Sequence, residues 1–255
     1  MIRAHMATFP ARAGILMQAV HSILPQVDRL CICLNQYDDV PAALADEPKI
    51  EAMIPDRDLK DAGKFAFEPA PDDWVFTIDD DILYPPDYVA TTLSFFDQLD
   101  PMTNIVGHLG NAWIAKGKLG QMGWKNFMFH KRAPHLLKVD LLGTGTTCQL
   151  GRNLPRLSQI EDAAGYVDLR HAWLQAEAGR WLWVLPHPEA WMTSTMTDEL
   201  RDSSLFETVN RVEPPLMRAE LSAVLSKRTP HSGEHYARLV AQGLLVPRAR
   251  AGDAI

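Results

Sequence analysis

Cysteine is scarce in this 255-residue chain: Cys31, Cys33 and Cys148 are the only three. An odd number, two of them on one face of a short apolar run, supplies neither a disulfide framework nor zinc-ligand spacing. All three are therefore expected as reduced core thiols. Long hydrophobic runs are also missing, and none approaches the ~18 residues of a membrane span. The opening MIRAHMATFPAR has no basic region followed by an apolar core, so no secretion leader is read there and a cytoplasmic location is expected. Positive charge is in deficit too. Lys and Arg number 25 against 32 Asp and Glu, for a net charge of -7, which argues against general affinity for nucleic acid or anionic membrane. Any phosphate the chain binds must meet a local basic cluster.

What is present is an alternation of strand-like and helix-like segments. IRAHMATF reads as a strand, and RAGILMQAVHSIL carries Ile15, Leu16, Ala19, Val20, Ile23 and Leu24 at helical spacing. RLCICLN is a second strand, so the first pair is expected to be parallel through a right-handed crossover. KIEAMI reads as a third strand, the loop PDRDLKDAGK and a short helix through FAFEPA follow, and DWVFTI is a fourth strand. Pro85 and Pro86 then open a helix over DYVATTLSFFDQL. From Asn104 the pieces NIVGHLGNAWIA, KNFMFHKR, HLLKVDLL and TTCQL predict a mixed or antiparallel extension. VDLRHAWLQAEAG is a helix and RWLWVL a strand. MTSTMTDELRDSS reads as a polar loop or lid, and amphipathic helices are expected near PPLMRAELSAVLSK and GEHYARLVAQGLL. The expected class is α/β with a Rossmann-like mixed central sheet over residues 1–195 and a helical extension over 196–255.

The densest chemical signal is WVFTIDDDILYPPDYV, with Asp79, Asp80 and Asp81 side by side where an apolar strand ends. Adjacent carboxylates repel, and more so where water is partly excluded. Ligands of open α/β sheets bind beyond the carboxyl ends of strands, and an oxygen-rich cluster there suits Mg²⁺ or Mn²⁺ shared with a substrate phosphate. The alternative is that Asp81 caps the next helix while the others are solvated. Lys60 and Lys64, beside the flexible Gly63, and Arg12 after the first strand are basic groups expected at the same edge. LLGTGTTCQL offers Gly143, Thr144, Gly145 and Thr146 as a close-approach turn with hydroxyls for a sugar, or simply as a tight turn between strands. Asp168 is either a helix cap or a carboxylate aimed at a reacting sugar. His187 is either a loop residue or a further metal ligand, and Trp113 and Trp191 are either core or stacking platforms.

QVDRLCICLN, IPDRDLKDAGKFAF, TIDDDILYPPDYV, LGTGT and YVDLR, in that order over residues 1–195, resemble the GT-A-type nucleotide-sugar glycosyltransferases. More narrowly, they are similar to the bacterial capsule family that adds alpha-linked N-acetylglucosamine to glucuronic acid in heparosan. The resemblance implies a GT-A fold and transfer of N-acetylglucosamine from a UDP-sugar to a glycan acceptor. It implies Mn²⁺ or Mg²⁺ on Asp81, and Arg12, Asp56, Lys60, Lys64 and Asp79 on the nucleotide. The GTGT turn would contact sugar or acceptor, and Asp168 with Asp80 would act at the reacting centre. The family has a basic residue where this chain has His187, which sets this position apart from the pattern. Other polysaccharide-assembly proteins at the inner membrane surface are possible partners under that reading. Two alternatives stand beside it: a sugar nucleotidyltransferase, disfavoured by the Gly-poor TFPARAG, and a non-catalytic sugar-binding subunit of an assembly complex.

Overall fold

The apolar runs of the first third build one half of a sheet. In the computed structural model, which describes residues 1–203 and 216–248, strand β1 (Ile2–Thr8) is followed by helix α1 (Ala13–Ile23). Ile15, Leu16, Ala19, Val20 and Ile23 of α1 are buried, each aliphatic side chain contributing about 1.5–3 kcal/mol for Leu or Ile. The chain returns in β2 (Arg29–Leu34), crosses through a short helix α2 (Ala42–Ala45) and continues in β3 (Ile50–Met53). β4 (Trp74–Ile78) then pairs with β1 on the side opposite β2. All of these pairings are parallel. Leu30, Ile32 and Leu34 of β2 and Val75, Phe76 and Ile78 of β4 are fully buried, as expected of strands covered on both faces.

Past α3 (Tyr88–Ser94) the sheet becomes mixed. β6 (Asn104–Gly107), β9 (Leu137–Val139), β11 (Thr146–Leu150) and β12 (Trp181–Val184) complete an eight-stranded sheet in the order β3-β2-β1-β4-β11-β6-β12-β9. β11 runs antiparallel to both β4 and β6, while β12 is parallel to β6. A second sheet of β10 (Leu141–Leu142), β7 (Gly110–Lys116) and β8 (Gln121–Phe127) leans on it, and β5 (Ile82–Leu83) pairs with β13 (Thr193–Ser194). This is an α/β molecule with a large mixed central sheet, consistent with a Rossmann-like fold.

Two helical pieces beyond residue 195 pack on the body. Helix α6 (Met217–Lys227) lies against α5 (Val167–Glu177), joined by Arg170 and Glu220, whose side chains pair at 2.6 Å in a buried position. Arg170 also reaches Asp162 and the Gln159 carbonyl, so its donors are satisfied. Val224 of α6 and Leu239 of α7 (Tyr236–Ala241) are fully buried. The amphipathic face of PPLMRAELSAVLSK is thus spent, at least in part, on the protein's own core. The polar stretch MTSTMTDELRDSS is described through residue 203, as β13 and a 3-10 turn over Asp198–Ser203, and Ser204 lies outside the described residues, as do residues 205–215.

Several boundaries differ from the sequence reading. The short helix expected through FAFEPA is instead a 3-10 turn earlier in the chain, Lys60–Phe65. Asn35 causes the shift: its Nδ2 donates to the Lys60 carbonyl at 3.0 Å and its Oδ1 accepts from the Leu59 amide at 2.8 Å, which pins the turn onto the end of β2. Gly63 then passes so close that a Cβ there would stand 2.7 Å from Cys33 Sγ. In the second sheet, the strand expected over KNFMFHKR ends at Phe127 and starts at Gln121. The three cysteines are buried and unbridged, burial raising the Cys33 thiol to about 12 and the Cys31 thiol to about 11. No helix among the described residues is long and apolar enough to cross a membrane.

Candidate functional site

Strand order dictates where a crevice opens. The chain moves from β1 outward through β2 and β3, then returns to start β4 on the other side of β1, so the carboxyl ends of β1 and β4 splay apart at a topological switch point. Met6 opposes Ile78 in register, which sets Thr8 across from Asp80. Here a cleft of about 1010 Å³ opens, and Arg12, Lys60, Lys64, Asp79, Asp80, Asp81, Thr144, Gly145 and Asp168 all line it. Nine of the side chains or turns singled out from sequence thus meet in one place, though they come from residues spread over more than half the chain.

The acidic triplet resolves into three different environments. Asp80 is buried and accepts the Thr8 hydroxyl at 2.6 Å. Burial raises its carboxyl to about 7, the Thr8 bond opposing the shift and the Asp81 charge adding to it. Asp81 is partly buried and is held by Arg12, whose Nη1 lies 3.0 Å from Oδ2. Its pKa is raised, by burial first and then by the charge of Asp79, with Arg12 working the other way. Asp79 is the more open of the three and pairs with Lys64. The repulsion evident in the sequence is therefore offset by two buried cations, one for each cleft-facing carboxylate.

Lys64 is the hub of the floor. It is buried, yet its pKa is raised: burial favours the neutral amine, but the charges of Asp79, Asp168 and Asp61 outweigh it. Its ammonium also lies 3.4 Å from the Thr144 hydroxyl. Thr144 donates through both its backbone amide, at 2.8 Å, and its hydroxyl, at 2.7 Å, to Asp168 Oδ1. This fixes the glycine-threonine turn against the first turn of α5. Burial raises the Asp168 carboxyl, against the pull of Lys64 and Thr144. Gly145 is required by contact, since a Cβ on it would stand 1.9 Å from Asp79 Oδ2. Tyr84 bonds the same junction, accepting from the Asp79 amide at 2.8 Å and donating to the Gly145 carbonyl at 2.7 Å.

Four predicted residues are not among those lining the cleft. Asp56 has an exposed side chain 3.9 Å from that of its neighbour Arg57. Gly143 packs against Leu109, and Thr146 is buried with its hydroxyl accepting from the His108 amide at 3.1 Å. His187 sits in an aromatic group with His108, Tyr88 and Trp191, its Nδ1 donating to the Leu185 carbonyl at 2.9 Å and its buried Nε2 without a partner among the described residues. Trp191 belongs to that group as well, and Trp113 pairs edge-on with Trp124. It is Trp124 that lines the cleft.

Other cleft residues carried no signal in the sequence. Thr8 and Asn35 are ordinary strand-end residues until register places them. Asp61 is one of several acids in PDRDLKDAGK, but it alone accepts the Gly165 amide, at 2.6 Å, and burial raises it to about 6. Asn111, Trp124 and Asn126 arrive on the β7–β8 hairpin, and Met217 and Leu221 on α6.

The donor set bears on a divalent cation. Asp79 and Asp81 present only carboxylate oxygens, the hard ligands Mg²⁺ and Mn²⁺ prefer, and two protein carboxylates are the number such ions take when a diphosphate supplies the rest. Among the described residues no group of three or more His, Cys, Asp or Glu is arranged to hold a metal, so a cation here would depend on oxygens from a ligand. The residues fit a shared site of that kind. Arg12 and Lys64 stand beside the same carboxylates, positioned to meet phosphate charge. Compared with known proteins, the chain matches no protein-family model and no curated protein.

Proposed function

We propose that this protein is a metal-dependent glycosyltransferase of the GT-A type, transferring a sugar, N-acetylglucosamine by the motif resemblance, from a UDP-sugar to a glycan acceptor in capsule or surface-polysaccharide synthesis. One observation carries the reading: carboxylates Asp79 and Asp81, each matched to a buried cation, converge on one cleft with Asp168 and the Thr144–Gly145 turn. A cleft of about 1010 Å³ has the volume for a nucleotide-sugar and part of an acceptor.

Asp79 and Asp81 would hold Mn²⁺ or Mg²⁺, which when bound would supply positive charge to stabilise a leaving diphosphate. Arg12 and Lys64 add fixed positive charge at the same wall, where water is partly excluded and each charge counts for more. When a diphosphate arrives, both cations have anionic oxygen to bind besides their present aspartates. Asp168 is held by Thr144 at 2.7 Å and stands on the floor beside Lys64; as a carboxylate it stabilises positive charge developing on the sugar ring. Asp80 stays tied to Thr8 on the cleft floor, burial holding its carboxyl up to about 7. Trp124, Asn111 and Asn126 form the wall on the far side, an aromatic face with amides suited to an acceptor glycan. A cytoplasmic enzyme working beside other polysaccharide-assembly proteins fits this reading.

Calorimetric titration with UDP in Mn²⁺ tests it. Binding is expected to require the metal and to weaken by at least about tenfold in Asp81→Ala, the loss of a charge-assisted contact of roughly 1.5–3 kcal/mol. Unchanged metal-dependent binding in that variant would sink the assignment.

A further inference from the structure

The β7–β8 hairpin has a surface unlike the rest of the chain. Between Pro101 and Val139 there is no Asp or Glu, although Lys116, Lys118, Lys125, Lys131, Arg132 and Lys138 fall within it. In a chain of net charge -7 this is a marked segregation of charge. Lys138 is buried and taken up by Asp140 at 2.9 Å. Of the other five, all exposed, Lys116, Lys118 and Lys125 lie on the hairpin and Lys131 and Arg132 follow its base; none has an ion-pair partner among the described residues. The neighbouring acid Glu234 is already paired with Arg238 at 3.2 Å.

The tip adds a second, independent feature. Gly117 and Gly120 each take a φ of 64°, turning the chain so that Leu119 stands 86% exposed, with Met122 next to it at 49%. Isolated exposed aliphatics are common, but here Leu119 sits between Lys116 and Lys118 on one side of the turn and Lys125 on the returning strand, none of them paired with an acid among the described residues. Met122 also borders a groove with Leu225 and Pro230, whereas Leu119 stands clear of the described residues.

We infer that the hairpin tip docks on an anionic lipid bilayer, Leu119 and Met122 entering the headgroup boundary while the lysines meet lipid phosphates. A soluble polyanion would use the cations and leave the aliphatics in water; a bilayer uses both. The inference stands apart from the sugar-transfer reading. It has a geometric consequence for the cleft all the same. Asn111, Trp124 and Asn126 on the same two strands line it, and Trp124 is three residues, about 10 Å of strand rise, from the start of the turn. Docking through the tip brings the cleft towards the headgroups.

Sedimentation of the full chain with vesicles tests this, comparing phosphatidylcholine alone with phosphatidylcholine containing phosphatidylglycerol. Binding is expected only to the anionic vesicles and is expected to fall as salt rises. Lys116→Gln with Lys118→Gln, the two lysines that flank the turn, should weaken it about 25-fold, near fivefold per charge, and Leu119→Ser about tenfold. All three positions are exposed, so melting temperature should stay that of the parent protein. Absence of binding to anionic vesicles overturns the inference, as does equal binding to neutral ones. If Leu119→Ser binds vesicles unchanged while the lysine variant loses retention on a heparin column, the surface takes polyanions by charge alone and insertion of the tip is overturned.

Discussion

Gly145 illustrates how much the cleft depends on single atoms. A methyl group there would overlap Asp79 Oδ2, so Gly145→Ala is expected to displace Asp79 from Lys64 and lower metal-dependent UDP affinity by an order of magnitude or more, read by titration. Lys64→Met leaves Asp79, Asp168 and Asp61 without their shared counter-charge. Breaking a buried pair in this way costs about 3 kcal/mol, which for a chain of this size lowers the melting temperature by roughly 6–12 °C. Asp80 gives a pH signature. Its folded pKa, about 7, lies above its ordinary value, so the folded state holds a proton that the unfolded chain releases near pH 4. Stability from this group is lost as pH rises from about 4 to 7 and is constant above. His5 and His171, lowered to about 3 chiefly by burial, act in the opposite sense and lose stability as pH falls below about 6.5. Asp80→Asn should therefore gain on the parent protein as pH is raised from 4 to 7, seen as a growing difference in melting temperature; a constant difference would refute the assignment. At this scale the sequence exposed the triplet, Lys64 and Asp168. It could not single out Asp61 from its neighbouring acids, because only the Gly165 amide distinguishes it.

Elements decide which of these residues meet. β1 and β4 are neighbours only because the chain reverses direction across the sheet, and Thr8 reaches Asp80 through their register. The antiparallel entry of β11 beside β4 brings the Thr144–Gly145 turn to the same edge. Helix α6 has a comparable role on the other wall, supplying Met217 and Leu221 to the cleft and Glu220 to Arg170. Glu220→Ala leaves Arg170 with Asp162 as its only acid partner among the described residues, beside the Gln159 carbonyl, for an expected loss of about 3 kcal/mol. Because α6 borders the Trp124 side, that variant should raise KM for the acceptor more than it weakens UDP binding. The main helices and strands through Leu99 were legible from periodicity, where apolar spacing and Pro85–Pro86 agree, but the short α2 and β5 were not. The turn at Lys60–Phe65 was not, since Asn35, 25 residues away from Lys60, holds it in place.

The whole molecule concentrates opposite charges in different places: acids with matched cations in the cleft, unpaired lysines on the hairpin. A ligand present at about 100 times its Kd stabilises a protein by about 2.7 kcal/mol. UDP with Mn²⁺ at that level should raise the melting temperature by roughly 5–10 °C, and chelation should remove the shift. The alternating pattern of its first third and the acidic strand end were written in the sequence by itself, because strand and helix periods and strand-end position are local properties of the chain. Which carboxylate faces Arg12, which meets Thr8, that Trp124 rather than Trp113 borders the cleft, and that His187 turns towards His108 were decided only by the tertiary structure. Each depends on strand register and on contacts between residues far apart in the chain, and no local spacing encodes those.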